Sequence, residues 1–543
     1  MERPPSEARG VGPAAGTGLA ARGPPALLAA VALTWLLWLW PALQFWSLTI
    51  DDAFITFRQA EHLARGNLSY NSAAQPVEAA SSILHSAALA ALFRLGLPTE
   101  LAAKLLGLFS ILATGAALAL LFVRLRGPRE RAAQWLAPLL ASSVLATSFP
   151  ISTWWFYGLE TPLWFALCVW LPVSLEALDS APTRGRLAAA SLCCALAVLC
   201  RPEGALVVAA WLFGLVVLDR GRLATVLRLL SATAVAFALV TGLRLAVYHQ
   251  VFPNSVYAKV HADHLWTTLL QGARYTLSWL SWDLRKSPGP ALLWLLALGL
   301  ALAPWLAEWL DRWRRAPRQA QAFRRLEPRA APFLVLAAVI AAYTVSVGGD
   351  WMPRMRFLAP AVILLPLGLL SLKAPRRRLL LWGPVLGAAL AAGLVLYTHP
   401  REREAGPFAQ VTTLGDETCQ RPIARYLRAH ATADETLSAA DIGRVGYAFP
   451  GTILDYWGLA DKQLTRSGRS VGHATADDVL RGDPEWLLTY AGERVEDGRW
   501  VIGTMAPAIV ERLLAVPSFR DRYQVVYQCE YNPGRWHVLL RRR

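Results

Sequence analysis

Up to about residue 398 the chain alternates long apolar stretches with short polar ones; after that its character changes. Apolar runs lie at 25–46, 101–123, 133–149, 161–178, 187–200, 204–218, 224–248, 290–310, 331–347, 357–372 and 379–398. A helix that crosses a bilayer takes about 20 residues, and most of these runs are of that length. Beyond them, short apolar runs at 436–440, 486–490, 523–529 and 536–540 predict strands, and 417–430 and 505–515 predict helices. The pattern gives three parts: a disordered, Gly/Pro/Ala-rich tail over 1–24, a polytopic helical part over 25–398, and an α/β domain over 399–543. The first run ends in Trp-rich sequence without a small-residue cleavage site, which reads as a retained signal anchor.

Charge orients the runs. Basic clusters at Arg124–Arg131, Arg312–Arg329 and Lys373–Arg378 belong on the cytoplasmic side. Both flanks of 187–218 are basic, so an even number of crossings separates them, and two short helices joined at Arg201–Gly204 satisfy that. The same parity leaves 81–98 as an amphipathic helix along the outer surface, with Ser82, Ser86 and Arg94 interrupting its apolar residues. The result is eleven spans, with outer loops at 47–100, 150–160, 201–204, 249–289 and 348–356, and residues 399–543 outside.

Composition agrees with this. The chain is 55% hydrophobic and 17% charged, against roughly 25% charged in soluble domains, and many of its 23 Trp fall where apolar runs end, as at membrane interfaces. The net charge of +16 does not make a nucleic-acid surface: residues 399–543 carry 19 charges of each sign, so the excess sits in the loops between apolar runs. No nucleic-acid partner is expected. Cys168, Cys193, Cys194 and Cys200 lie in apolar runs as packing residues, whereas Cys419 and Cys529 lie in the polar C-terminal part and are a candidate disulfide if it faces an oxidising compartment. No cysteine spacing suggests a zinc site.

The outer loops hold an unusual density of ionisable groups. Asp51 and Asp52 follow the first span and open a helix, with Arg58 about two turns on. Acids at a helix start are ordinary, but two adjacent carboxylates repel each other, which favours a raised pKa or a shared cation. The other loops carry Glu160; Arg201 with Glu203; Asn254 with Lys259; and Asp350 with Arg354 and Arg356. Singly each reads as an interfacial anchor. Together, opposite inner loops that are almost purely basic, they form a site for an anionic lipid-linked substrate.

The segments DDAFITFR, VEAASS, WFYGLETPL, CRPEGAL, PNSVYAKV and GGDWMPRMRFLAP, with ADIGRVGY and DYWGLAD further on, resemble the GT-C superfamily of polyprenyl-phosphate-sugar glycosyltransferases. The nearest branch is that of the arabinofuranosyltransferase AftB and its ZomB-like relatives. Where relatives tend to have a VEGYTS-like stretch this chain has VEAASS, so the resemblance leaves sugar and acceptor open. It implies an inverting transferase of the cytoplasmic membrane with an acidic catalytic residue in the first outer loop. Its site and C-terminal domain would be extracytoplasmic.

The chemistry then assigns roles. Asp51 or Asp52 takes the acceptor's proton. Arg201, Lys259, Arg354 and Arg356 are candidates to bind the donor phosphate and neutralise its developing charge. Arg58, Glu160, Glu203, Asn254 and Asp350 bind substrate or support those cations. The Asp441 and Asp455 motifs read as turns. The partners are a polyprenyl-phosphate-linked sugar, a glycan, lipid or protein acceptor of the cell envelope, and membrane lipid. No cofactor is required by any spacing; a divalent cation bridging Asp51 or Asp52 to phosphate stays open. Two other functions are open as well. A lipid-linked-sugar flippase would place charges at mid-bilayer in repeated halves. A non-catalytic envelope or motility assembly factor would make Asp51 and Asp52 dispensable.

Overall fold

The computed structural model describes residues 42–71, 76–125, 153–259, 265–286, 329–350, 356–370, 416–469, 473–491 and 507–543, apart from isolated positions within them, together with Trp35, Leu39 and Met352. The runs expected at 133–149, 290–310 and 379–398, most of 25–46, and Arg354 lie outside the described residues.

The described helices of the membrane part are α1 (Asp51–Ala64), α2 (Ile83–Arg94), α3 (Thr99–Leu125), α4 (Thr161–Ser180), α5 (Arg184–Cys200), α6 (Gly204–Leu218), α7 (Leu223–Tyr248), α8 (Asn254–Lys259), α9 (Leu265–Lys286), α10 (Ala331–Ser346) and α11 (Ala359–Leu370). Among the described residues three stretches are long and apolar enough to cross a membrane: Thr99–Leu118, Thr161–Ser180 and Arg220–Tyr248. Leu227, Val235, Leu239, Leu243 and Leu245 of α7 are exposed, the surface a helix presents to lipid. The 187–218 stretch is two helices. Thr183 caps α5 by accepting from the Arg186 amide, and α5 ends where Arg201 turns the chain into α6.

Helix α2 has 12 residues, about 18 Å at 1.5 Å per residue, too short for a hydrocarbon core of about 30 Å. It packs against α1, α3 and α5. Its polar residues differ from the expected outward arrangement. His85 Nε2 pairs with the Gly158 carbonyl, Ser86 Oγ donates to the Ser82 carbonyl, and Arg94 Nε donates to the Ala64 carbonyl. His85 and Ser86 are buried with these partners, while Arg94 stays exposed.

The C-terminal part contains α12 (Arg421–His430), β1 (Thr436–Ala439), α13 (Arg444–Ala448), β2 (Thr452–Asp455), α14 (Lys462–Arg466), α15 (Ala476–Val479), β3 (Trp486–Ala491), α16 (Pro507–Leu514), α17 (Phe519–Arg522), β4 (Tyr523–Asn532) and β5 (Arg535–Arg542). The strands form one sheet in the order β2-β1-β3-β5-β4. β1 runs parallel to β2 and β3, while β5 is antiparallel to β3 and β4. Side chains alternate between two cores, as the period of two requires. Leu437, Trp486, Leu488 and Leu539 fall in one, and Leu487, Val538 and Leu540 in the other. A disulfide joins Cys419, in the turn before α12, to Cys529 of β4, with Cα atoms 5.5 Å apart.

The first of these cores also contains Ile55, Tyr70, Val77 and Ala79, so the sheet and the segment that starts with α1 share one apolar interior. Polar groups fasten the same seam. Arg58 is buried and spends its guanidinium on backbone carbonyls: Tyr70, Gly446, Phe449 and Gly451. Tyr70 Oη donates to the Ile442 carbonyl, and the Asn71 side chain exchanges two hydrogen bonds with the backbone of Ile453. Glu78 takes two bonds from Arg244 of α7, both side chains buried.

Candidate active site

Asp51 and Asp52 form the first turn of α1, where carboxylates favour the helix dipole. The turn is fixed from behind. The Ile50 amide donates to the Tyr157 carbonyl at 3.1 Å. The next residue but one to that carbonyl's neighbour Gly158 is Glu160, and Gly158 itself has φ +88° with Ala53 and Phe57 against it. That backbone conformation favours glycine, and it lets the 154–160 segment pass tightly over α1.

The two aspartates have different surroundings. Asp51 Oδ1 accepts from the Arg444 amide at 2.8 Å, and Gly443 lies so close that a Cβ there would collide with the Asp51 carboxylate. Asp51 is thus a contact between α1 and the loop after β1. Burial, and then the neighbouring Asp441 carboxylate, push it up to about 8 against the opposing Arg444 amide. Asp52 accepts no hydrogen bond from the described residues. Burial raises its pKa too, but Lys259 and then Arg356 act in the other direction. Asp52 therefore faces the cations, with acceptor capacity to spare.

Those cations come from distant loops. Lys259 ends α8 and is exposed. Arg356 is buried, with Nε donating to Asp350 Oδ2 at 2.8 Å. Its guanidinium lies 5.2 Å from the centre of the Phe357 ring, and Arg201 lies 5.0 Å from the same ring. Arg201 is held by two carboxylates, Glu160 at 2.5 Å and Glu203 at 2.8 Å. A cleft runs between these groups, lined by Thr161, Trp164, Arg201, Glu203, Arg356 and Phe357 among others. Glu160, Glu203 and Asp350 support the arginines.

Two expected substrate ligands are structural instead. Arg58 is buried and gives four of its N–H donors to the carbonyls of the seam. Asn254 is buried: its amide donates to the Gly458 and Leu459 carbonyls, and its Oδ1 accepts from Gln250 and Thr465. Both residues sit in motifs beside the site, and both hold those motifs to the C-terminal part.

Asp441 corrects the reading in the opposite direction. Two residues past β1, it is not only a turn: its Oδ2 lies 3.1 Å from His537 Nε2, and it acts electrostatically on both Asp51 and Asp52. Burial alone would raise it, but hydrogen bonds from His537 and Tyr490 outweigh burial and hold the carboxyl below its usual range. His537 is about a hundred residues away in sequence, and a lone His in a strand gives no signal of this pairing. Asp455 is a turn residue, as expected: its carboxylate accepts from the Trp457 and Ala460 amides.

Among the described residues, Asp51, Asp52 and Asp441 do not converge closely enough to hold one ion between them. The trio that does is Cys419, Cys529 and His537, and its two sulfurs are bonded to each other.

The family model described as a domain of unknown function (DUF8728) matches residues 409–539. No curated protein matches the chain. Two solved structures are similar over nearly its whole length. ArnT from Cupriavidus metallidurans in the apo state aligns with a TM-score of 0.57 at 13% identity, covering 95% of this chain and 97% of that one. The same protein bound to undecaprenyl phosphate aligns with a TM-score of 0.55, with the same identity and coverage. Identity this low speaks to architecture alone: the chain shares the fold of that protein.

Proposed function

We propose that this protein is an inverting glycosyltransferase that moves a sugar from a polyprenyl-phosphate donor to an acceptor hydroxyl at the outer face of the cytoplasmic membrane. The observation that carries this reading is Asp52: a partly buried carboxylate that accepts no hydrogen bond from the described residues and feels the charges of Lys259 and Arg356. The fold around it is shared with a protein whose structure holds undecaprenyl phosphate. The cleft lined by Arg356 and Arg201 supports an anionic lipid headgroup there. The resemblance to the AftB and ZomB-like branch leaves the sugar open between a pentose such as arabinofuranose and a hexose, and the acceptor between a glycan, a lipid and a protein of the cell envelope.

In this scheme the acceptor oxygen forms a bond to the anomeric carbon from the face opposite the phosphate. The bond from that carbon to the phosphate oxygen breaks, and its electron pair leaves with the lipid phosphate. Asp52 takes the acceptor's proton; burial raises its pKa, and a stronger base suits that transfer. Lys259 and Arg356 stabilise the charge that grows on the leaving phosphate. Asp51, engaged with Arg444 and closed over by Gly443, positions the turn on which Asp52 stands.

Purified full-length protein with radiolabelled polyprenyl-phosphate pentose and hexose tests the reading. Sugar transfer or donor hydrolysis by the wild type, abolished in Asp52→Asn and weakened in Arg356→Ala, is the expected result. Asp52→Asn with wild-type turnover would sink it and favour an assembly factor.

A further inference from the structure

The C-terminal sheet has a switch in its topology. From β1 the chain goes outward to β2, and from β2 it returns across to β3 on the other side of β1, all three strands being parallel. In open α/β sheets, ligands bind in the crevice outside the carboxyl ends of the strands at such a point. Here that end carries Asp441, two residues past β1; Trp457, two past β2; and Tyr490, near the end of β3. Register places His537 of β5 opposite Tyr490.

None of these groups has a part in the transfer step above. Asp441 nevertheless keeps 29% of its side chain exposed while its partner His537 keeps 5%. It is a carboxylate held rigidly from behind and open in front. A carboxylate offers about four acceptor positions, so an imidazole and a phenol leave capacity for a ligand. The indole Nε1 of Trp457 is buried without a hydrogen-bond partner among the described residues, which leaves a donor at the same end of the sheet.

We infer that this crevice binds the acceptor as a neutral, polyhydroxylated sugar unit, with Asp441 accepting a hydrogen bond from one of its hydroxyls and Tyr490 and His537 as positioning residues behind it. The inference rests on the transferase reading. Charge selects the class of ligand. Asp441 carries charge of the same sign as the neighbouring Asp51 and Asp52, whereas Lys259 and Arg356 act on Asp52. An anionic donor phosphate belongs with the cations, and a neutral polyol, whose hydroxyls donate, belongs with the carboxylates. The pairing with His537 keeps Asp441 ionised, the form that accepts most strongly from a hydroxyl.

The experiment uses full-length protein in nanodiscs, radiolabelled polyprenyl-phosphate pentose, and a panel of octyl pentosides and hexosides as acceptor probes, with water as the competing acceptor. Asp441→Asn is expected to raise the KM for the octyl glycoside roughly 10–100-fold, the loss of a hydrogen bond to a charged group. It should also raise the ratio of hydrolysis to transfer. Tyr490→Phe should move both in the same direction, by roughly 3–10-fold. An unchanged acceptor KM and an unchanged ratio in Asp441→Asn overturn the inference, as does an equal fall in hydrolysis and transfer. If Asp441→Asn does not fold, Tyr490→Phe decides by the same two readouts. Wild-type protein that hydrolyses the donor yet uses no octyl glycoside overturns the neutral-sugar assignment. Wild-type protein that does neither overturns the transferase reading beneath it.

Discussion

The seam between α1 and the C-terminal sheet and the cleft beside it are lined by the same residue types, yet they differ in how their polar groups are satisfied. In the seam, Arg58, Tyr70, Asn71 and Asn254 find backbone partners. A buried polar group with all its bonds made is a fastening, and removing it leaves its partners exposed to the full desolvation cost. Beside it, Arg201 and Arg356 are paired directly with Glu160, Glu203 and Asp350, whereas Asp52 feels Lys259 and Arg356 electrostatically but has no hydrogen bond from the described residues. Completeness of hydrogen bonding, more than residue type or motif membership, separates scaffold from chemistry here.

The comparison is sharpest at Asp52. Asp52→Asn should lower transfer by roughly 10²–10⁴-fold, the usual contribution of a general base, while thermal unfolding of the detergent-solubilised protein stays at the wild-type temperature. A large loss of stability instead would move Asp52 from the cleft to the seam. Arg58→Met is the mirror experiment: stability should fall by roughly 3–5 kcal/mol, because four buried carbonyls lose their donor. Protein that still folds should keep its donor KM. A selective rise in donor KM with normal stability would return Arg58 to the substrate.

Smaller effects test the fastening further out. Replacing Cys419 and Cys529 by Ser opens a closed loop of 110 residues and should cost roughly 2–4 kcal/mol, read by chemical unfolding under oxidising conditions. Asn254→Ala should cost roughly 1–3 kcal/mol and leave sites other than α8 in place, as followed by limited proteolysis near residue 259. The weakest probe is pH. Asp51 sits at about 8 when folded, against an ordinary 3.8, so the folded state binds this proton more tightly. Its stabilising contribution is complete below about 4 and is lost as pH rises through 8. Asp51→Asn should flatten that part of the stability profile, and a profile identical to wild type would show that Asp51 is not buried against Asp441.

Much of the framework was legible because it follows from length and period. The break in 187–218 fell at Arg201–Gly204, where charge parity put it, and α5 and α6 meet there. Strands β1, β3, β4 and β5 stand on the apolar runs that predict them. β2 did not announce itself: Thr452–Asp455 is four residues with a charged end, and its pairing with β1 is a tertiary fact. The site was legible only in part for the same reason. Asp51, Asp52, Lys259 and Arg356 declare themselves as charges in outer loops. Whether Arg58 and Asn254 face substrate or backbone depends on carbonyls some two to four hundred residues away. Asp441 becomes a site residue only when His537 arrives beside it.

The position of β5 has a consequence for biogenesis. It lies between β3 and β4 in the sheet, yet it is the last of the described strands to leave the ribosome. A nascent chain made as far as β4 already has Asp51, Asp52 and Asp441, but β4 has no neighbour to pair with and Asp441 has no imidazole behind it. Insertion of β5 is therefore the event that seals the sheet and orders the carboxylate at once. The acidic centre stays unassembled until β5 has been made and has paired with β3 and β4.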